Sequence, residues 1–145
     1  MSRWIFSNFY PCIPPKTTAQ QHKRIFKSKA GRMFLGTDAK GRATESELAS
    51  IFLSAPPSPE FPRDRPIEVE ITFFYPYRKS ERKSVVARGE DIPHTSKPDL
   101  DNLCKGCADV LTRCGFWNDD SQIFSIRLKK YWSKRPGIEL AIFAR

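Results

Sequence analysis

The stretch KPDLDNLCKGCADVLTRCGFWNDDSQI, Lys97–Ile123, holds a helix, a turn and the start of a strand, and the fold is read outward from it. Pro98-Asp99 is a helix opening, because an acid there can accept from free N–H groups and complements the positive helix end. Leu100, Leu103, Cys107, Leu111 and Cys114 then recur at helical spacing, which predicts an amphipathic helix from Leu100 to Cys114 with that stripe buried. Gly115 can close the helix in the left-handed conformation. Trp117-Asn118 form a turn that delivers Asp119 and Asp120 to the next strand.

The remaining elements follow from pattern. Ile67, Val69, Ile71, Phe73 and Tyr75 alternate with Glu68, Glu70, Thr72 and Phe74, so 67–75 is a strand with one buried face, stopped by Pro76. Residues 3–10, RWIFSNFY, are a β-rich first strand that CIPPK breaks. Two β-prone pieces, 24–27 and 32–35, flank the turn Ser28-Lys29-Ala30-Gly31 as a hairpin. Thr44 and Glu47 have capping-box spacing, which starts a helix with Leu48, Ile51, Phe52 and Ala55 facing the core. Pro56-Pro57-Ser58-Pro59 ends it. Phe124, Ile126 and Leu128 alternate with Ser125, Arg127 and Lys129, and the chain returns through Ser133–Gly137 to 138–143 as a final hairpin. The order predicts one α/β (α+β) domain over 1–145, a mixed sheet packed against two main helices. Residues 77–97 read as a long polar loop carrying Arg78, Lys79, Arg82, Lys83, Arg88 and Lys97, in the length class of functional or mobile loops.

The chain carries 25 Lys and Arg against 16 acids, a net charge of +9 that favours a polyanionic partner, nucleic acid first. Residues 16–42 hold eight basic side chains, among them Lys16, Lys23, Arg24 and Lys27, and one acid, Asp38. The functional reading is a phosphate-gripping surface and the bland one a solvated hairpin. The basic 77–97 segment suggests an arm that closes on DNA. No apolar run approaches the roughly 18 residues of a membrane span, and MSRWIFSNFYP lacks a signal-peptide core; a soluble, cytoplasmic protein is expected. Cys104, Cys107 and Cys114 cluster while Cys12 stands apart. A zinc module fails for want of a fourth ligand, since His22 is remote and His94 has no partner at a familiar spacing. A redox pair would need a helix N-terminus after a strand. Reduced thiols packed as small apolar residues fit best.

Against this basic background, five of the 16 acids fall in the opening stretch: Asp99, Asp101, Asp109, Asp119 and Asp120. The bland reading of Asp99, a helix cap, leaves the others unexplained. Asp101, Lys105 and Asp109 lie at i, i+4 and i+8, on a face roughly opposite Leu103 and Cys107. Carboxylates this crowded repel one another unless cations neutralise them. Mg²⁺ suits such a site, because it takes carboxylate oxygens and keeps waters for a substrate phosphate. A site of this kind can hydrolyse phosphodiesters, with Lys105 supplying positive charge at the phosphate.

Asp99-Leu100-Asp101-Asn102-Leu103-Cys104-Lys105, then Asp109, then Gly115-Phe116-Trp117-Asn118-Asp119-Asp120-Ser121-Gln122-Ile123, resembles the signature of the RusA family of Holliday junction resolvases. The match extends through Pro136-Gly137-Ile138, and Pro14-Pro15-Lys16-Thr17-Thr18-Ala19-Gln20-Gln21 resembles the family's N-terminal loop. The resemblance implies a small homodimeric endonuclease, often phage- or prophage-encoded, that nicks four-way DNA junctions symmetrically with Mg²⁺ or Mn²⁺ and no small-molecule cofactor. It implies Asp99, Asp101 and Asp120 as catalytic metal ligands and Lys105 as the catalytic lysine. Asn102 and Asp119 become supporting residues, and Asp109 a partner holding Lys105. The longer 77–97 segment departs from the compact members. A flap or branched-DNA nuclease is the near alternative. A catalytically silent DNA-binding protein is the distant one, disfavoured because a binding module has no use for carboxylates that repel DNA.

Overall fold

A computed structural model of the chain describes residues 3–17 and 23–145, without the side chains of Lys23 and Thr37. The loop residues Thr18–Gln21, which the resemblance includes, lie outside the described residues, as does the Lys23 side chain.

The elements run β1 (Trp4–Pro11), β2 (Lys23–Lys27), β3 (Met33–Thr37), α1 (Ala39–Leu53), β4 (Ile67–Pro76), α2 (Lys83–Arg88), β5 (Ile92–Pro93), α3 (Leu100–Arg113), a 3-10 turn (Asp120–Gln122), β6 (Ile123–Ser133) and β7 (Gly137–Ala144). Among the described residues the strands form a five-stranded sheet in the order β1-β7-β4-β6-β5, and a separate β2–β3 ribbon. The sheet is mixed: β4 runs parallel to β6 and antiparallel to β7. The fold is therefore the expected α/β class, a mixed sheet with α1 and α3 as its main helices.

One side of the sheet builds the core. Ile67, Val69, Ile71, Phe73 and Tyr75 of β4, Ile138, Leu140 and Ile142 of β7, and Tyr10 of β1 meet Leu48 and Phe52 of α1 and Leu103, Cys107, Val110 and Leu111 of α3. Phe116 and Trp117, just after α3, are equally buried. Burying such side chains contributes roughly 1.5–3 kcal/mol each before entropy is counted. Of the cysteines, Cys107 is fully inside the core and Cys12 and Cys114 pack against it, whereas Cys104 is half-exposed.

The structure changes four expectations. β6 and β7 are not a hairpin; β4 lies between them and pairs with both. Strands two places apart are about 10 Å apart, which the three-residue link Lys134-Arg135-Pro136 can span past the end of β4. Alternation assigns a face to each strand but not a neighbour. α1 starts earlier than the Thr44 capping box: Asp38 is its cap, accepting from Gly41 N at 2.9 Å. Thr44 sits inside the helix, its hydroxyl donating to Lys40 O. The 77–97 segment is not a plain loop but holds α2, closed by Gly89 at φ 66°, and β5. Finally, the β2–β3 ribbon is as much apolar as basic on its surface, with Ile25, Met33, Phe34 and Leu35 exposed.

Candidate active site

The acid-bearing helix α3 is fed by residues 92–99, a strap lying along the end of β6. Ile92 and Pro93 pair with Trp132 and Tyr131, and His94 N donates to Lys130 O at 3.0 Å. The buried His94 ring lies flat on Trp132 and edge-on to Tyr75, and its Nδ1 accepts from Ser96 N. Burial, reinforced by the nearby Lys130 charge, pushes the His94 pKa down to about 4, so the ring is neutral. Lys130 Nζ donates to Ser96 O at 2.5 Å and Pro98 O at 2.6 Å. Burial lowers the Lys130 pKa, and the Asp99 carboxylate opposes that shift. The peptide before Pro98 is cis.

Asp99 occupies the N-cap position of α3 with φ −72° and ψ 144°, yet its side chain makes no capping hydrogen bond. Helix caps of this type normally accept from a backbone N–H, so this carboxylate is left over for another use. Asp101 follows in the first turn, and Asp99, Asp101, Lys105 and Asp109 are all exposed. Their stripe lies away from buried Leu103, Cys107 and Leu111, as the 3.6-residue period requires. Lys105 and Asp109 are both exposed, and no ion pair joins these two described residues; at the surface such a pair contributes little. Asn102 is half-buried on a different side of α3, lining a small cleft with Pro15, Thr17, Thr44 and Glu45.

After α3 the chain reverses through Gly115 at φ 78°. Phe116 N returns to Leu111 O, and the Trp117 indole donates to Thr112 Oγ1 at 2.7 Å. Gln122 then organises the turn carrying the second acid pair. Its Oε1 accepts from Asn118 N at 2.9 Å and Asp119 N at 2.7 Å. Its Nε2 donates to Arg63 O and Arg65 O, both at 2.8 Å. Asp119 caps the 3-10 turn, accepting from Ser121 N at 2.8 Å. These hydrogen bonds, to the Ser121 backbone first, hold the Asp119 carboxyl below its ordinary range. The two neighbouring acids are both exposed, but Asp119 is committed to the turn through its bond from Ser121 N. Gln122 and Lys130 were not singled out by sequence reading. Gln122 stands at the third position after Asp119, the capping-box spacing, and Lys130 shares the strand parity of Leu128 and Trp132; those are the signals that could have found them.

The 3-10 turn contacts α3 and, through Arg63, lies near Gly115 after the end of that helix, whereas Asp99 and Asp101 stand at its first turn, near Lys130 further along β6. Among the described residues no three His, Cys, Asp or Glu side chains converge into a ready ligand cluster. The donor set nevertheless fits a hard divalent cation: all-oxygen, exposed, and with Asp99 released from capping. One or two carboxylates with waters and substrate phosphate suffice for Mg²⁺.

The expected DNA-contacting basic residues are spread over several elements. Lys97 is exposed two residues before Asp99, and Lys16 is exposed in the loop after β1. Arg24 and Lys27 lie on β2, with Arg24 3.8 Å from Asp38. Lys79, Arg82 and Lys83 are exposed around the start of α2. Arg78 is engaged by Glu81 at 2.7 Å and lies over the Trp132 ring at 4.9 Å.

The fold thus defines a class, an α/β protein with a stripe of exposed acids and a lysine on α3. The comparisons with known proteins make it particular. The family model "Endodeoxyribonuclease RusA" matches residues 13–143, and the chain belongs to that family, which makes it an endodeoxyribonuclease. It is 33% identical over 125 residues to the crossover junction endodeoxyribonuclease of Lactococcus phage r1t, covering 86% of this chain and 88% of that protein. It is 27% identical over 116 residues to the uncharacterized protein YqaN of Bacillus subtilis strain 168, covering 77% and 80%. With the crossover junction endodeoxyribonuclease RusA of Escherichia coli K12 it shares 42% identity over 52 residues, 35% of this chain and 43% of that one.

Proposed function

We propose that this endodeoxyribonuclease is a Mg²⁺-dependent, structure-selective enzyme that resolves Holliday junctions by paired symmetric nicks, in DNA recombination and repair. The observation that carries the reading is Asp99, an acid at a helix N-cap that does not cap, two residues before exposed Asp101. Support comes from the crossover junction activity named for the phage r1t relative. Asp99, Asp101 and Asp120 would hold the cation, with Mn²⁺ as a substitute. When bound, it would lower the cost of forming hydroxide for in-line attack and stabilise the leaving 3′ oxygen.

The chain's own residues do the rest. Lys105, one turn after Asp101 on the same stripe, places positive charge against the scissile phosphate as negative charge grows there. Asp119 and Gln122 shape the turn that presents Asp120. Lys97, Lys16, Arg24, Lys27, Lys23, Arg78, Lys79, Arg82 and Lys83 provide salt-sensitive affinity for the backbone of branched DNA. Cutting two opposed strands symmetrically requires two active sites about a two-fold axis, and a homodimer supplies them. Residues 1–145 act as one nuclease domain, working in the cytoplasm of a bacterial or phage-infected cell; no helix among the described residues is long and apolar enough to cross a membrane.

Asp101→Asn tests the reading. It should abolish junction cleavage in Mg²⁺ and leave junction binding intact in gel shifts. Full cleavage by this variant would remove the carboxylates from the mechanism. A looser branched-DNA or flap nuclease would show itself by equal cutting of flaps and junctions.

A further inference from the structure

Lys130 is anomalous where it stands. It pairs with Phe73 across β4, so it faces the same side of the sheet as Ile126, Leu128 and Trp132, and Phe73 itself is completely buried. A lysine on the core-facing side of a strand is costly unless its ammonium finds partners. It finds them in the strap: Nζ donates to the carbonyls of Ser96 and Pro98 at 2.5 and 2.6 Å. Charge-assisted hydrogen bonds are about twice as strong as neutral ones, and two from one ammonium fix the direction in which the chain enters α3. The next residue is Asp99, whose backbone carbonyl accepts the first helical bond from Leu103 N at 3.0 Å. The Asp99 side chain is not held by the helix end, so its aim is set by the backbone on either side.

We propose that Lys130 is a positioning residue for the metal site: by gripping the Ser96 and Pro98 carbonyls it aims the Asp99 carboxylate at the divalent cation. The inference rests on the reading of Asp99 as a metal ligand. Lys130 touches neither phosphate nor metal in this role. The opposing effects of burial and of Asp99 on its pKa agree with an ammonium held close to that carboxylate. A merely structural lysine would stabilise the strap without affecting metal binding.

The two roles separate by measuring Mn²⁺ binding to the protein alone, by the loss of the free-ion EPR signal, together with thermal midpoints. Lys130→Met keeps the aliphatic stem and removes all donors; Lys130→Arg restores donors to the same carbonyls. Expected is a Mn²⁺ affinity at least tenfold weaker in Lys130→Met, largely recovered in Lys130→Arg, with metal-free junction binding within twofold of the unaltered chain. Should Lys130→Met not fold, Lys130→Thr, a polar β-branched residue whose hydroxyl is too short to reach either carbonyl, carries the same comparison. A folded Lys130→Met or Lys130→Thr that binds Mn²⁺ like the unaltered chain overturns the proposal while leaving the proposed function standing. An unaltered chain that binds no Mn²⁺ overturns the metal reading itself, and the positioning role with it.

Discussion

The His94 imidazole lies flat against the Trp132 indole, ring centroids 3.7 Å apart and planes within 13°. This contact fixes the strap to β6 two residues before Ser96 and five before Asp99. It also makes the strap sensitive to acid. The folded protein holds His94 at a pKa of about 4 against an ordinary 6.5. Between those values the unfolded chain binds more protons than the folded one, so stability rises with pH across that window. It is fully present above pH 6.5 and lost as pH falls towards 4. Chemical denaturation at pH 7.5 and pH 5 should show the loss, and His94→Phe should remove this part of it. An unchanged pH slope in His94→Phe would place the acid sensitivity elsewhere.

Asp119 and Asp120 should separate cleanly despite being adjacent. Asp119→Asn keeps an acceptor for Ser121 N and should retain most cleavage activity. Asp119→Ala should lose about 1 kcal/mol of stability, the ordinary cost of removing a cap. Asp120→Asn should lose cleavage by more than a hundredfold with no change in stability. Denaturant midpoints and initial cleavage rates on the same preparations check all three.

Gln122 makes four hydrogen bonds, to Asn118 N, Asp119 N, Arg63 O and Arg65 O. Gln122→Ala should destabilise the protein by about 2–6 kcal/mol, at a net 0.5–1.5 kcal/mol for each hydrogen bond. It should slow cleavage at least tenfold, because the Asp120 turn loses its frame. Gln122→Glu keeps the acceptor and loses the donor, and should fall between. Equal cleavage by all three would detach Asp120 from the chemistry.

Two glycines test conformation against crowding. Gly115 sits at φ 78° with open space around a virtual Cβ. Gly115→Ala should therefore cost only the left-handed backbone penalty, about 1–2 kcal/mol. At Gly137 an added Cβ would overlap the Phe9 ring and approach Tyr10 O to 2.7 Å. Gly137→Ala must push β1 and β7 apart and should cost about 3 kcal/mol. Thermal denaturation ranks the pair.

Much of this arrangement was legible in the chain. Strict alternation from Ile67 to Tyr75 marked β4 because one of its faces is wholly buried. The Leu103, Cys107, Leu111 spacing and Gly115 marked α3 and its end. Strand neighbours were not legible: β6 and β7 read as a hairpin because a short link looks alike whether it joins adjacent strands or passes a third. The start of α1 was missed because Ala39-Lys40-Gly41-Arg42-Ala43 has no large apolar residue to carry the helical period back to Asp38. α2 spans only Lys83–Arg88, too short for a helical period to register. Of the candidate site, residue types and spacing singled out the acids and lysine of the 97–123 stretch, and Asp99, Asp101, Lys105 and Asp120 are all exposed there. The supports at Gln122 and Lys130 act on backbone carbonyls remote in sequence, at Arg63, Arg65, Ser96 and Pro98, and such contacts leave little trace in a linear pattern.

The most direct measurement of the central claim is strand-specific nick mapping. A synthetic four-way junction, end-labelled on each strand in turn, is incubated with the protein and Mg²⁺ beside linear duplex of the same sequence. The account predicts nicks at symmetry-related positions on two opposed strands of the junction, none in the duplex, and none in either when EDTA replaces Mg²⁺. Equal cutting of the duplex, or an intact junction with both Mg²⁺ and Mn²⁺, would contradict it.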